Sequence, residues 1–236
     1  MSSLNFIGGE KGGVGKSVVA RLLAQYFIDK QLPFVGFDTD RSHNSFTRFY
    51  ADYASPVLVD SYEGLDEVVN IFDNTTEDAA QPHVIVDLAA QTAAPLASWI
   101  NDSELLAVLS DLGVAVNFWH VADAGRDSVE LLAKLLDTYG AGPNYIVVKN
   151  LGRGSDFTQL ESSAALAQAK ELGARVISLG QLHESSMRKI DRQNVSFWAA
   201  VNSRTSEDAL GLLERQRVKS WLSKTYATFD TLELAV

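Results

Sequence analysis

The sequence predicts a doubly wound α/β domain, a mostly parallel sheet with helices on both faces. Three observations carry that expectation. Short β-rich runs alternate with helix-periodic stretches along the chain. Several runs are almost continuously apolar, as in "VIVDL", which is how parallel strands read when helices cover both faces. The first run leads into a glycine-rich turn and then at once into an amphipathic helix. At 236 residues, 46% apolar and 21% charged, the chain can bury a sizeable core. No repeat, low-complexity linker or Pro-rich spacer marks an internal boundary, so residues 1–236 are read as a single domain.

Taken in order, Leu4 to Ile7, Phe34 to Phe37, Val57 to Val59, His83 to Leu88, Val114 to Val121, Tyr145 to Val148 and Arg175 to Leu179 read as strands. Val19, Leu22, Leu23, Tyr26 and Phe27 fall on one face of the first helix. Val129, Leu132, Ala133, Leu136 and Tyr139 repeat that spacing later. From about residue 204 the pattern predicts one long helix, with Leu210, Leu213, Val218, Trp221, Leu222 and Phe229 as its apolar stripe and "RQRVK" on the polar side. In open sheets of this kind ligands bind outside the carboxyl ends of the strands, so the informative residues are those just after each strand.

The totals exclude several classes. Without cysteine there is neither a disulfide framework nor a thiolate metal site, and a reducing compartment, the cytoplasm, is expected. Met1, Ser2 and Ser3 lead directly into a short apolar stretch, with no basic region of a secretory signal, and no run approaches the ~20 apolar residues of a membrane span. A net charge of −10 opposes histone-like wrapping of nucleic acid, because like charges repel phosphates over a screened range of roughly 8 to 10 Å. A local basic patch from Arg188-Lys189 and the run Arg215 to Lys219 leaves DNA as a partner open. The tail "KSWLSKTYATFDTLELAV" lacks a strong basic face, which argues against membrane attachment. His43, His83, His120 and His183 are too dispersed for a metal site, and the strand histidines read as packing residues.

The chemistry concentrates in "GGEKGGVGKS", residues 8–17. Gly12, Gly13 and Gly15 allow backbone conformations closed to other residues, so the N–H groups of Gly12, Gly13, Val14, Gly15, Lys16 and Ser17 can converge on phosphate oxygens. The helix starting near Ser17 adds the positive end of its dipole. Lys16 is expected to reach the β- and γ-phosphates of ATP, and the Ser17 hydroxyl to ligate Mg²⁺. Glu10 stands where the ordinary phosphate-loop pattern has glycine. Phosphate would repel its carboxylate at close range, so it is expected to turn away, toward a cation.

"KGGVGKS" resembles the deviant phosphate loop of the ParA/MinD family of ATPases, in which a lysine opens the loop. The resemblance implies a P-loop ATPase that forms a homodimer on binding ATP, with Lys11 reaching the phosphates of the partner subunit's nucleotide. Physically this is an arginine finger supplied in trans, a cation placed where charge develops. "FDTDRSHN" is similar to the family's first switch, with Asp38, Asp40 and Asn44 matching and Arg41-Ser42 departing from its Pro-Gln. By resemblance Asp40 orients the attacking water, while Asp38 supports Mg²⁺ or the loop. Read without the resemblance, the run is an Asp-rich turn capping a helix from about residue 43.

Asp87 ends the strand of "HVIVDLAAQT", where a carboxylate holding Mg²⁺ is expected and where a buried Asp needs a cation to offset its desolvation. The "AAQT" that follows reads as the second switch. "YIVVKNLGRG" places Asn150 where the family often uses an amide against adenine, and an ordinary turn explains the same residues.

Together the loop, the two switches and the sheet look most like plasmid partition and conjugative-mobilisation ATPases of the TraL/StbB type. The function implied is an ATP switch that positions, partitions or mobilises DNA or another cargo through a protein partner or adaptor. Two alternatives belong to other classes: an ATP-dependent amidoligase or synthetase of the same fold, and a nucleotide-switched binding module with negligible turnover.

Overall fold

The computed structural model describes residues 2–73, 82–204 and 208–234. Its centre is a seven-stranded sheet in the order β3-β2-β4-β1-β5-β6-β7, and every pairing is parallel. The strands are β1 Ser3–Gly8, β2 Phe34–Asp38, β3 Ala54–Pro56, β4 His83–Asp87, β5 Ala115–Ala122, β6 Asn144–Asn150 and β7 Arg175–Leu179. After β1 the chain moves to one side of it through β2 and β3, returns to place β4 beside β1, and then builds β5, β6 and β7 on the other side. The reversal opens a crevice at the carboxyl end of β1, where such sheets hold ligands.

Helices cover both faces. On one, α1 (Lys16–Asp29) packs with α8 (Glu184–Gln193), α9 (Phe197–Asn202) and α10 (Leu212–Asp230), around Leu22, Phe27, Trp119, Phe197 and Phe229. On the other, α2 (Tyr62–Asp73), α3 (Ala93–Asp102), α4 (Leu105–Asp111), α5 (Arg126–Tyr139), α6 (Thr158–Glu161) and α7 (Ala164–Glu171) enclose Phe6, Val86, Trp99, Phe118 and Leu136. The apolar face predicted for α1 is buried throughout. In α5 only Leu132 and Leu136 of the predicted stripe are fully buried.

Three sequence expectations shift. The third strand is Ala54–Pro56 rather than Val57 to Val59, because Gly36 to Asp38 pair with Ala54 to Pro56; Val57 and Val59 are buried in the turn beyond. The long helix begins at Leu212, not near 204; residues 205–207 lie outside the described residues, and α9 precedes them. Within its predicted stripe Leu213 is 67% exposed, whereas Val218, Trp221, Leu222 and Phe229 are buried. No regular helix starts at residue 43; turns run from Arg41 to Phe49. Among the described residues no helix is long and apolar enough to cross a membrane.

Buried polar groups pin the sheet toward its amino end. Asn5 on β1 donates to the Ser3 hydroxyl and the Val84 carbonyl, and its amide oxygen accepts from Asn117 and Trp119. His83 bonds Ser3 and stacks on Phe27, while His120 bonds the Ser128 carbonyl. Both strand histidines are thus packing residues with one polar tie each, and burial pushes both imidazoles down to about 4.

Two outcomes follow from this packing. Phe229 stands edge-on to both Tyr26 and Trp119, so Phe229→Ala is expected to cost about 3–5 kcal/mol in urea unfolding; below about 1 kcal/mol, α10 would not be part of the core. A histidine whose folded pKa is depressed adds stability that is present above its unfolded pKa and lost as pH falls through the folded one. The unfolding midpoint should therefore drop between pH 6.5 and about 4, less steeply in His83→Asn. Parallel pH profiles for the two proteins would contradict the buried neutral state.

Candidate functional site

The loop from Gly8 to Gly15 leaves β1 at the crevice and enters α1 with Gly15 in the left-handed region, φ 101°. Gly13, φ 78°, is left-handed too, and a Cβ on Gly12 or Gly13 would meet no atom within 4 Å. The loop therefore lines open space with backbone. Gly15 supplies no side-chain cap and the first turn of α1 carries no acidic residue, so its leading N–H groups stay available to an anion. By contrast α7 and α9 are capped by Ser163 and Ser196.

Lys16 is buried and folds back over the loop, its Nζ donating to the carbonyls of Gly9 (2.7 Å) and Lys11 (3.0 Å). Burial lowers its pKa, and the charges of Asp87, Glu10 and Asp40 oppose that shift. Asp87, at the end of β4, is buried, and burial pushes its carboxyl up to about 7 against a hydrogen bond from Ser17. Its Oδ2 is buried without any hydrogen-bond partner. A divalent cation fits that orphaned oxygen, with Ser17 beside it as the second protein oxygen. Among the described residues no group of three or more His, Asp or Glu side chains is arranged to hold a metal, so such an ion needs ligand phosphates to complete its shell.

Asp38, expected to support Mg²⁺ or the loop, is bonded to the backbone of the first switch. Its Oδ1 accepts from the Asp40 N–H and its Oδ2 from the N–H groups of Phe46 and Thr47, so the buried carboxylate organises the first switch. Asp40 projects at its edge, capping the turn through Ser42 and His43; burial works against its charge, and those hydrogen bonds hold its pKa below the ordinary value. The Asp-rich turn is present, without the helix. Thr39 joins the switches: its hydroxyl donates to the Asp87 carbonyl and accepts from the Ala89 N–H.

Asn150, expected at adenine, is also engaged. It lies buried at the end of β6, donates to the Val14 carbonyl at 2.7 Å and accepts from the Gly152 N–H, bracing the phosphate loop. A cavity of about 520 Å³ opens next to it, at the ends of β6 and β7, lined by Leu151, Gln181, His183, Arg217, Trp221 and Lys224. α10 supplies its outer wall, a contribution the sequence did not indicate.

Lys11 stands apart from the other loop residues. Its Nζ lies 2.9 Å from Asp123 and 3.4 Å from Asp127, at the junction of β5 and α5, and those carboxylates raise its pKa. Asp123 follows a strand just as Asp38 and Asp87 do, so the rule that located those residues also reaches it. Glu10 accepts from the N–H of Ala93 rather than from a cation's side chain, and its charge still bears on Lys16. In the basic patch Arg188 pairs with Glu184 and Lys189 with Glu214, while Arg215 donates to the Leu210 carbonyl and keeps its charge.

A parallel sheet of this order, with a glycine loop at its switch point and a strand-end aspartate whose charge acts on the loop lysine, is a doubly wound α/β fold with phosphate-loop geometry at the carboxyl end of β1. No protein-family model matches the chain. The chain is similar to the protein TraL of Escherichia coli, 24% identical over 243 residues and spanning 98% of both chains. Its fold matches a ParA family ATPase from Chlorobium tepidum with a TM-score of 0.58 at 14% identity, over 94% of this chain and 98% of that one. It also matches a putative plasmid partition protein from Borrelia burgdorferi bound to AMPPNP, TM-score 0.50 at 15% identity, over 95% and 100% of the two chains.

The brace on the loop is testable without any ligand. A Cβ on Gly15 would lie 2.3 Å from Asn150 Nδ2, so Gly15→Ala should destabilise the parent by at least about 1 kcal/mol more than it destabilises Asn150→Ala. Additive effects in urea unfolding would show that Asn150 does not bear on the loop.

Proposed function

We propose that the chain is an ATP-binding and ATP-hydrolysing switch that dimerises on ATP and serves plasmid partition or conjugative mobilisation. The observation that carries this reading is the pair of lysines on one loop, with different surroundings. Lys16 is buried among loop carbonyls beside Ser17 and Asp87. Lys11 points outward into a partly exposed ion pair.

Lys16 and the N–H groups from Gly12 to Ser17 take the ATP phosphates, displacing the lysine from the carbonyls it now holds. Ser17 and Asp87 would hold Mg²⁺, which would supply neutralisation of the phosphate charge. Asp40, at the rim of the first switch, orients the attacking water, while Asp38 and Thr39 hold that switch against the second. The cavity beside Asn150 takes the base, with Asn150 shaping it through the loop rather than reading the base edge.

Solvent-screened ion pairs add little to stability, so the Asp123 and Asp127 carboxylates are a resting place for Lys11, not a lock. The triphosphate of a second subunit concentrates more negative charge and takes the lysine away. With net charge −10, and with Arg188 and Lys189 of the basic patch held in ion pairs, the cargo is reached through a protein adaptor rather than by wrapping DNA directly. The resemblance of the loop and switches to conjugative-mobilisation ATPases supports mobilisation as the process, and the likeness to TraL agrees with that resemblance.

The test is light scattering of the parent and Lys11→Ala with ADP and with ATP, alongside phosphate release. The parent is expected to dimerise with ATP only, and the variant to lose about 10³-fold in turnover. A parent that stays monomeric with ATP, or a variant that dimerises and hydrolyses like it, would overturn the reading.

A further inference from the structure

Glu10 sits one residue before Lys11, and its carboxylate makes a bond that no nucleotide chemistry requires. Its Oε1 accepts from the N–H of Ala93, the first residue of α3, at 2.8 Å. The residue that would ordinarily cap α3 does not. Thr92 is in helical rather than cap geometry, makes no side-chain cap, and its hydroxyl donates to the Ala89 carbonyl. Gln91 before it is in the left-handed region, φ 67°, a conformation that costs a non-glycine residue energy and that the surroundings must enforce. The first turn of α3 carries no acidic residue either. The negative group at this helix start therefore comes from the phosphate loop.

We infer that Glu10 is a positioning residue: it caps α3 across the chain and so holds the second switch, residues 89–92, to the phosphate loop. With Thr39 joining Asp87 and Ala89 to the first switch, the loop and both switches form one hydrogen-bonded unit. A displacement of the loop is passed directly to α3, instead of being absorbed in the connection. The bond also accounts for a carboxylate tolerated near a phosphate site, since the positive end of α3 engages its Oε1. Its consequence for turnover rests on the ATPase reading above.

The test uses the full chain as parent, Glu10→Ala and Glu10→Gln. Both variants lose the charge, but only glutamine keeps an oxygen able to accept from Ala93. Amide hydrogen exchange of residues 89–96 in nucleotide-free protein should be about five- to tenfold faster in Glu10→Ala and within about twofold of the parent in Glu10→Gln. In steady-state ATP hydrolysis, kcat should fall about tenfold in Glu10→Ala with KM changed less than about twofold, and Glu10→Gln should recover most of it. Equal exchange in the two variants, or a kcat indifferent to the alanine, would overturn the inference. Separated exchange in a parent that does not turn over ATP would uphold the cap and refute the ATPase reading, so the two failures are distinguishable.

Discussion

A lysine ammonium held under backbone carbonyls, at the open end of an uncapped helix, is the constraint on which the rest of this structure depends. Lys16 is buried, so its charge survives only because Gly9 and Lys11 accept its protons and because Asp87, Glu10 and Asp40 surround it. The loop geometry that brings those carbonyls over Nζ requires Gly13 and Gly15 in the left-handed region, and Asn150 then fixes the loop from β6. Moving any of these groups would leave a buried cation without partners. The sheet order supplies the crevice, since β4 and β5 flank β1 and deliver Asp87 and Asp123 to either side of the loop.

From that centre, charge organises outward. Asp87 keeps a buried oxygen without a hydrogen-bond partner next to the Ser17 hydroxyl. Asp38 accepts from three backbone N–H groups and shapes the first switch. Glu10 does the same for the second switch through α3. Three carboxylates within a few residues of the phosphate loop thus have three separate tasks: one open to an ion, two closed onto the chain. Lys11, on the solvent side, is the loop cation whose partners are weak enough to exchange.

Much of the fold was legible in the sequence because buried parallel strands and amphipathic helices have distinct periods. "VIVDL" and the face from Val19 to Phe27 land where the patterns place them. β3 was displaced by three residues because apolar content marks burial, not ladder pairing: Val57 and Val59 are buried without pairing to β2. At the site the positions of the residues were readable, but the directions of their side chains were not. Asp38 and Asn150 lie beside the loop as expected, yet their hydrogen-bond capacity goes to Phe46, Thr47, Val14 and Gly152, contacts that depend on how distant segments meet. The cap from Glu10 to Ala93 spans 83 residues and has no local signature. Asp123 was within reach, because it obeys the same strand-end rule as Asp87.

The most direct test of the central claim is calorimetric titration of Mg²⁺-ATP into the parent and into Lys16→Ala. The buried ammonium and the free N–H groups at the start of α1 predict saturable one-to-one binding in the parent, weakened at least about 100-fold by the substitution. No saturable heat in the parent up to millimolar ATP, or equal affinity in the two proteins, would contradict a nucleotide site built around Lys16.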